Sequence, residues 1–153
     1  MGQKTVRWVA LLTAVGLAVG AAARAGASTK SDSVVKVTAT ADKPGADGKQ
    51  VIHIRLAIDP GWHTYANPIG TDVGVPTSVT VAGKGAGDVQ VHYPAGKTVK
   101  DSGGDYYVYE GDTTIDATVR RSKDDSPLKV KVKIQACDAT KCLVPATVEV
   151  SVP

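Results

Sequence analysis

The chain has 153 residues, of which 42% are apolar and 22% charged. This length and composition fit one globular domain and exclude a wholly disordered or fibrous chain. The net charge is +3, but Lys4, Arg7 and Arg24 lie in the first 27 residues, where there is no acidic residue. The other 15 basic residues are balanced by 15 acidic ones. Because nucleic-acid binding needs a clustered excess of Lys and Arg, we expect no nucleic-acid partner.

Residues 1–27 have the three parts of a secretory signal peptide. A positively charged start is followed by the apolar run Trp8–Ala23 and by small residues that end in Ala25-Gly26-Ala27. The alternative is a retained membrane anchor, but this run of 16 residues is shorter than the roughly 20 that cross a bilayer. We therefore predict a signal peptide at 1–27 and one mature domain at 28–153, periplasmic or secreted and without a membrane span. Its first residues, Ser28–Ser33, are expected to be a loose tether.

Beyond residue 33, apolar and polar side chains alternate in short runs, which is the pattern of half-buried β-strands. In the clearest run, Leu128–Ala136, every second residue is apolar. Turn-forming Gly, Pro and Asp residues separate the runs. The predicted strands are Val35–Ala39, Ile52–Ile58, Ser78–Val81, Val89–Tyr93, Tyr106–Tyr109, Ile115–Val119, Leu128–Ala136 and Val148–Val152. Strands of this number and spacing predict an all-β, immunoglobulin-like two-sheet antiparallel sandwich rather than a barrel.

The two cysteines, Cys137 and Cys142, are separated by the four residues Asp138–Lys141. In an exported protein such a pair can form a disulfide. One interpretation is a structural disulfide, although closing a loop of about six residues stabilises a fold by only about 2 kcal/mol. A second interpretation is a metal site that adds His63 or another histidine, although the spacing differs from the usual C-x2-C half of a zinc site.

The third interpretation of the cysteine pair is redox chemistry. Alternation continued from Leu128–Ile134 places Cys137 on the side of Gln135, away from the core, so packing does not explain this cysteine. Both sulfur atoms are expected at the ends of a polar connection, within reach of solvent and of a partner protein. Lys141 favours the thiolate of Cys142, the form that attacks a disulfide. On the residues alone, the redox and structural interpretations stay open and the metal site is less favoured.

Four blocks of the sequence occur together in a recognisable order. They are the Gly-aromatic segment in Ile58–Tyr65, the Pro-x-Gly of Tyr93–Gly96, Val108–Gly111 at a strand, and Gln135–Cys142 followed by Pro145. In this order the blocks resemble the periplasmic N-terminal domain family of the thiol:disulfide interchange protein DsbD. The resemblance extends from about Val34 to Val152, and the cysteine block is its most specific part.

The resemblance implies an immunoglobulin-like sandwich in which Cys137 and Cys142 cycle between dithiol and disulfide, without a cofactor. Such a domain takes electrons from a membrane-embedded partner or a thioredoxin-like domain and passes them to exported thiol proteins. A thiolate attacks a disulfide and the second cysteine resolves the mixed disulfide. We expect Cys142, beside Lys141, to meet the partner. The chain is then a component of a protein-disulfide reductase or thiol:disulfide oxidoreductase system, and its classification as an enzyme stays open.

The resemblance also implies neighbours for the cysteine pair. Trp62 and Tyr65 are expected to frame it. His63 either holds a thiolate or relays a proton near the cysteines, or it only packs in the turn that precedes it. The family shields the pair with a cap loop that carries an aromatic residue, so Tyr106 or Tyr107 is the candidate cap here.

The sequence departs from the family pattern in three ways. The connection between the cysteines has four residues, whereas the best-known members have five. The stretch that matches the cap loop, Lys100–Asp105, is rich in glycine and has no aromatic residue. The membrane-embedded electron conduit is missing, so we expect a separate membrane or periplasmic chain to supply the reductant. The rival hypothesis is a secreted immunoglobulin-like protein-binding module whose disulfide is purely structural.

Overall fold

The computed structural model describes residues 29–72, 74–121 and 126–153. The predicted signal peptide, residues 1–27, lies outside the described residues. One short 3-10 turn, Ser31–Ser33, precedes the strands. The strands are β1 (Val35–Ala41), β2 (Lys49–Ile58), β3 (His63–Tyr65), β4 (Ser78–Ala82), β5 (Ala86–His92), β6 (Lys97–Val99), β7 (Tyr106–Glu110), β8 (Asp112–Arg121), β9 (Leu128–Ile134), β10 (Ala136–Cys137) and β11 (Ala146–Val152). The described ranges include no helix with the length and hydrophobicity to span a membrane.

The strands form three antiparallel sheets, with the orders β1-β2-β8-β5, β10-β3-β7-β6 and β11-β9-β4. All eight predicted strands are present. The short strands β3, β6 and β10 were not predicted, because two or three residues are too few to display an alternating pattern.

Alternation along the long strands builds the hydrophobic core. In β2, Ile52, Ile54, Leu56 and Ile58 point inward, while His53 and Arg55 lie on the outer face. The inward side chains of β8 and β9 continue this cluster, which joins the first and third sheets into one core. Each buried Val, Leu or Ile side chain contributes about 1.5–3 kcal/mol, so these two layers hold most of the free energy of folding.

The chain changes sheets between β9 and β10. β9 lies between β11 and β4, whereas β10 pairs with β3. The alternation nevertheless continues from Ile134 through the half-buried Gln135 to Ala136, which belongs to the core cluster. Cys137 is also buried, but it lies outside the core cluster and opposite His63 of β3. Neighbouring residues of a strand point to opposite faces, so the predicted direction of Cys137 agrees with the register, whereas its burial was not predicted. Gln135 marks the change, and its Oε1 accepts a hydrogen bond from Val75 N at 3.0 Å.

The segment before β1 is attached to the body of the domain. Ser31 is fully buried, and Lys30 forms an isolated parallel bridge with Val144. The prediction of a loose tether is thus wrong for the described residues 29–33. The prediction rested on the polar composition of the segment. Hydrogen bonds to residues more than 100 positions away hold the segment in place.

Candidate redox site

The two cysteines lie opposite each other in a tight hairpin. Cys137 ends β10 and faces Cys142 across an antiparallel bridge. Their Sγ atoms form a disulfide, and the two Cα atoms are 4.0 Å apart. We call residues 136–144 the cysteine hairpin.

Hydrogen bonds close the four-residue connection of the cysteine hairpin. Asp138 N donates to Lys141 O at 2.9 Å, and Leu143 N donates to Ala136 O at 2.8 Å. The Asp138 carboxylate accepts bonds from Thr140 N (2.7 Å), Thr140 Oγ1 (2.8 Å) and Lys141 N (2.9 Å). These bonds, the one from Thr140 N above all, hold the pKa of Asp138 below its ordinary value. Asp138 therefore fixes the shape of the turn as an ionised group.

The two cysteines differ in exposure. Cys137 is 2% exposed, whereas Cys142 is exposed. The expectation that solvent and a partner reach both sulfur atoms is therefore wrong for Cys137. Cys142 is therefore the outer residue of the pair and Cys137 the inner one.

Tyr65 lies next to the exposed cysteine. Its hydroxyl is 4.0 Å from Cys142 Sγ, at the limit of a hydrogen bond to sulfur. Its ring makes an edge contact with Tyr106, with 5.9 Å between centroids. Gly74 passes so close to the ring that a Cβ at that position would collide with it. Burial raises the pKa of Tyr65, so its hydroxyl stays protonated at neutral pH.

The two candidate cap residues point to opposite faces of β7, as neighbours on a strand do. Tyr106 contacts Tyr65 on the side of the disulfide. Tyr107 is partly buried against the core cluster and against Gly70. An open groove of about 250 Å³ lies beside the Tyr65–Tyr106 pair, and the glycine-rich stretch forms part of its lining. Its lining residues are Tyr65, Thr71, Asp101, Gly103, Gly104 and Tyr106.

A tight turn sets Trp62 at the entrance to β3. Trp62 N donates to Asp59 O at 3.1 Å, and Gly61 has a φ of +83°, which favours glycine. The indole is half-buried against the core cluster. The Lys141 ammonium stands 6.0 Å from its ring centroid, a cation–π contact that connects β3 to the cysteine hairpin.

His63 lies beside the inner cysteine. The register of the second sheet pairs it with Cys137 on one side and with Glu110 on the other. Directly opposed residues of an antiparallel sheet point to the same face, so these three side chains form a row. Burial lowers the pKa of His63 despite the nearby Glu110 and Asp138 carboxylates, which leaves the ring neutral at pH 7. Within the described ranges, no three His, Cys, Asp or Glu side chains are arranged to hold a metal ion.

Sequence reasoning missed Ser31, which touches both strands of the cysteine hairpin. Its Oγ donates to Val144 O and accepts from Ala136 N, both at 2.9 Å. Ser31 N also donates to Val144 O at 2.9 Å. Because Ser31 lies 105 residues before Ala136 in a polar segment, no local pattern in the sequence could have indicated this contact.

The chain is thus a small all-β domain with a surface disulfide, of which one cysteine is exposed and the other buried. A thiol can attack a disulfide only at a sulfur atom that it can reach, so this arrangement permits thiol–disulfide exchange. Residues 30–153 match the family described as "Thiol:disulfide interchange protein DsbD, N-terminal". The chain belongs to this family, which confirms the resemblance found in the sequence. Comparison with curated protein sequences gives no match.

Solved structures of similar fold include the N-terminal periplasmic domain of ScsB from Proteus mirabilis, with a TM-score of 0.59 and 22% identity. The superposition covers 77% of this chain and 44% of that one, so this chain spans less than half of that relative. The reduced DsbD N-terminal domain of Neisseria meningitidis gives a TM-score of 0.52 at 17% identity, covering 78% of this chain and 85% of that one. At these identities the likeness establishes the fold, and it confirms the predicted immunoglobulin-like sandwich.

A third solved structure is a complex between the DsbD N-terminal and PilB N-terminal domains of Neisseria meningitidis. Its matching chain has a TM-score of 0.51 and 17% identity, and the superposition covers 77% of this chain and 80% of that one. In that organism, a domain of this fold forms a complex with a domain of another protein.

Proposed function

We propose that this chain is an exported thiol:disulfide interchange module that passes electrons between thiol proteins through Cys137 and Cys142. The unequal exposure of the two cysteines carries the proposal, because it gives an outer sulfur for attack and an inner sulfur for resolution. We also propose that residues 1–27 are a cleaved signal peptide and that the mature domain, 28–153, acts in the periplasm or outside the cell.

The exchange transfers two electrons and two protons. In the reduced chain, the Cys142 thiolate attacks a disulfide of the partner, and one partner sulfur leaves as a thiol. The Cys137 thiolate then attacks Cys142 Sγ in the mixed disulfide, and the second partner sulfur leaves. The partner ends as a dithiol and the chain as a disulfide. A dithiol on a separate membrane or periplasmic chain reverses these steps and restores the reduced pair.

We assign the proton transfer at the inner sulfur to His63. Cys137 has little contact with solvent, so its proton needs an acceptor within the protein. His63 lies opposite Cys137 in the sheet register, and its lowered pKa keeps the ring neutral and able to accept a proton at pH 7. Glu110, on the far side of His63, stabilises the imidazolium that forms.

The outer sulfur has three neighbours with separate proposed roles. The Tyr65 hydroxyl, 4.0 Å away, donates to the Cys142 thiolate. Lys141 favours the same thiolate by its charge and is held toward the site by Trp62. Tyr106, in contact with Tyr65, serves as the partial cap of the pair. Together these side chains form the surface that a partner thiol protein would contact.

A trapping experiment tests the direction of attack. In a Cys137→Ser variant, Cys142 has no resolving partner, so we expect a stable mixed disulfide with an exported thiol protein, detectable on a non-reducing gel and lost on reduction. The matched control is Cys142→Ser, whose remaining sulfur is buried and should capture far less. Equal capture by both variants would contradict the assignment of Cys142 as the outer sulfur.

Failure of both variants to capture any protein would instead support the binding module with a structural disulfide. That module would bind its partner equally well after replacement of both cysteines. Such a result would reject electron transfer while leaving the fold and the family membership unchanged.

A further inference from the structure

The segment before β1 contacts the cysteine hairpin from outside the redox pair. We propose that residues 29–33 are a clamp that positions the cysteine hairpin and thereby shifts the equilibrium of Cys137 and Cys142 toward the disulfide. We call these residues the N-terminal clamp. The inference rests on the proposed function, since it concerns the redox equilibrium of the same cysteine pair. It assigns a role to residues outside that pair.

The hydrogen bonds of the clamp end on both strands of the hairpin. Ser31 Oγ accepts from Ala136 N, one residue before Cys137, and donates to Val144 O, two residues after Cys142. Ser31 N adds a second bond to Val144 O. One fully buried side chain therefore bridges the backbones that carry the two sulfur atoms. Loss of this hydroxyl leaves a buried backbone N–H without its partner.

The clamp also covers an edge. On the Cys137 side, β10 of the hairpin pairs with β3, and this pairing fixes the position of β10. On the Cys142 side, the neighbour is the clamp, through the parallel bridge between Lys30 and Val144 and a bond from Val144 N to Thr29 O at 3.3 Å. Without residues 29–31, this side of the hairpin would present unpaired backbone groups to solvent.

The link to redox chemistry follows from effective concentration. A disulfide closes more readily when the scaffold holds its two thiols close together, and it is reduced more readily when they can separate. By thermodynamic reciprocity, the clamp favours the disulfide by the same factor by which the disulfide strengthens the clamp. If most of the stabilisation from one buried hydrogen bond requires the disulfide, this factor is about fivefold. A fivefold factor corresponds to a change of about 20 mV in the reduction potential of the cysteine pair.

The test compares two serines of the same turn. Ser31→Ala removes the bridge, whereas Ser33→Ala removes only the exposed bond from Ser33 Oγ to Lys30 O and serves as the matched control. Each chain is equilibrated in glutathione mixtures, and the fraction of disulfide is measured by thiol labelling and mass spectrometry. We expect Ser31→Ala to shift the equilibrium about fivefold toward the dithiol. Ser33→Ala should shift it less than about twofold.

Urea unfolding provides a second, independent measurement. Ser31→Ala is compared with the unsubstituted chain in the oxidised form and in a form that carries Cys137→Ser and Cys142→Ser. We expect Ser31→Ala to raise the equilibrium constant of unfolding more in the oxidised form, by the same fivefold factor. Equal losses in both forms, with an unchanged glutathione equilibrium, would overturn the clamp and make Ser31 merely structural. An unsubstituted chain that resists glutathione would reject the proposed function, while the unfolding comparison would still decide on the clamp.

Discussion

The body of the sandwich and the cysteine hairpin are held together by different forces. In the body, β2, β8 and β9 bury a regular alternation of branched aliphatic side chains. The hairpin has a disulfide, an ionised turn residue and polar contacts from remote segments, of which Ser31 is the clearest. The side chains that stabilise the fold and the groups proposed to react thus lie in separate regions. The hairpin can therefore break and remake a covalent bond without the loss of the core.

The largest expected effect comes from the body. Leu56→Ala deletes a fully buried side chain of β2 and should lower the free energy of unfolding by about 3 kcal/mol, because it leaves a cavity. Urea unfolding measures this loss, and glutathione titration of the same variant should show an unchanged redox equilibrium. A redox shift as large as the loss of stability would mean that the two regions are not separate.

Removal of the disulfide is the next largest expected change. Replacement of Cys137 and Cys142 by serine should lower the free energy of unfolding by about 2 kcal/mol, because the closed loop is short, and should abolish thiol exchange. The far-ultraviolet circular dichroism spectrum should keep its β character. A loss that exceeds the one from Leu56→Ala would make the disulfide the main support of the fold.

His63 is expected to affect the rate of exchange at the hairpin and not the stability of the body. His63→Gln should slow the resolution of a mixed disulfide about tenfold at pH 7, because the acceptor for the Cys137 proton is lost. Burial lowers the pKa of His63, while Glu110 on β7 and Asp138 in the hairpin oppose this effect. The ring is thus neutral at pH 7 and becomes protonated only at more acidic pH.

The difference between His63→Gln and the unsubstituted chain should therefore shrink as the pH falls below 6. Stopped-flow measurement of the released partner thiol follows this rate. His92→Gln, on the exposed strand β5, is the matched control and should leave the profile unchanged. A parallel pH profile for both variants would remove His63 from the proton transfer.

The smallest expected effect lies on the outer face of the body. His53 Nδ1 lies 2.8 Å from Asp116 Oδ1, and this contact above all raises the pKa of His53, with Asp42 adding to it. Its side chain is 41% exposed, so solvent screens the pair. His53→Gln should lower the free energy of unfolding by about 0.5 kcal/mol below pH 6. Because the folded pKa is raised, this contribution is lost as the pH rises through it, and unfolding at pH 5.5 and 8.5 measures the difference.

The sequence predicted the body far better than the hairpin. Most of the eight strands follow from period-two alternation, because they bury one face against a single core, although β5 has no buried residue. At the hairpin, alternation indicated the direction of Cys137 but not its burial, because the chain changes sheets between β9 and β10. The resemblance to the family indicated Trp62, His63 and Tyr65 as neighbours of the cysteines. In the structure, His63 and Tyr65 lie on β3 next to the cysteine pair.

Contacts between distant parts of the chain account for what sequence reasoning missed. Ser31 looked like part of a polar tether, because its partners are more than 100 residues away. The difference in exposure between Cys137 and Cys142 likewise depends on the pairing of β10 with β3 and on the hairpin turn. Neither pairing leaves a local signature in strands this short.

Redox titration of the unsubstituted chain in glutathione tests the central claim most directly, because exchange through Cys142 requires a disulfide that a thiol can reach and reduce. The fraction of disulfide is measured at each glutathione ratio. We expect a full transition to the dithiol at a potential above about −300 mV, the range of labile disulfides. A pair that stays oxidised in the most reducing mixture would contradict the account and identify Cys137 and Cys142 as a structural disulfide.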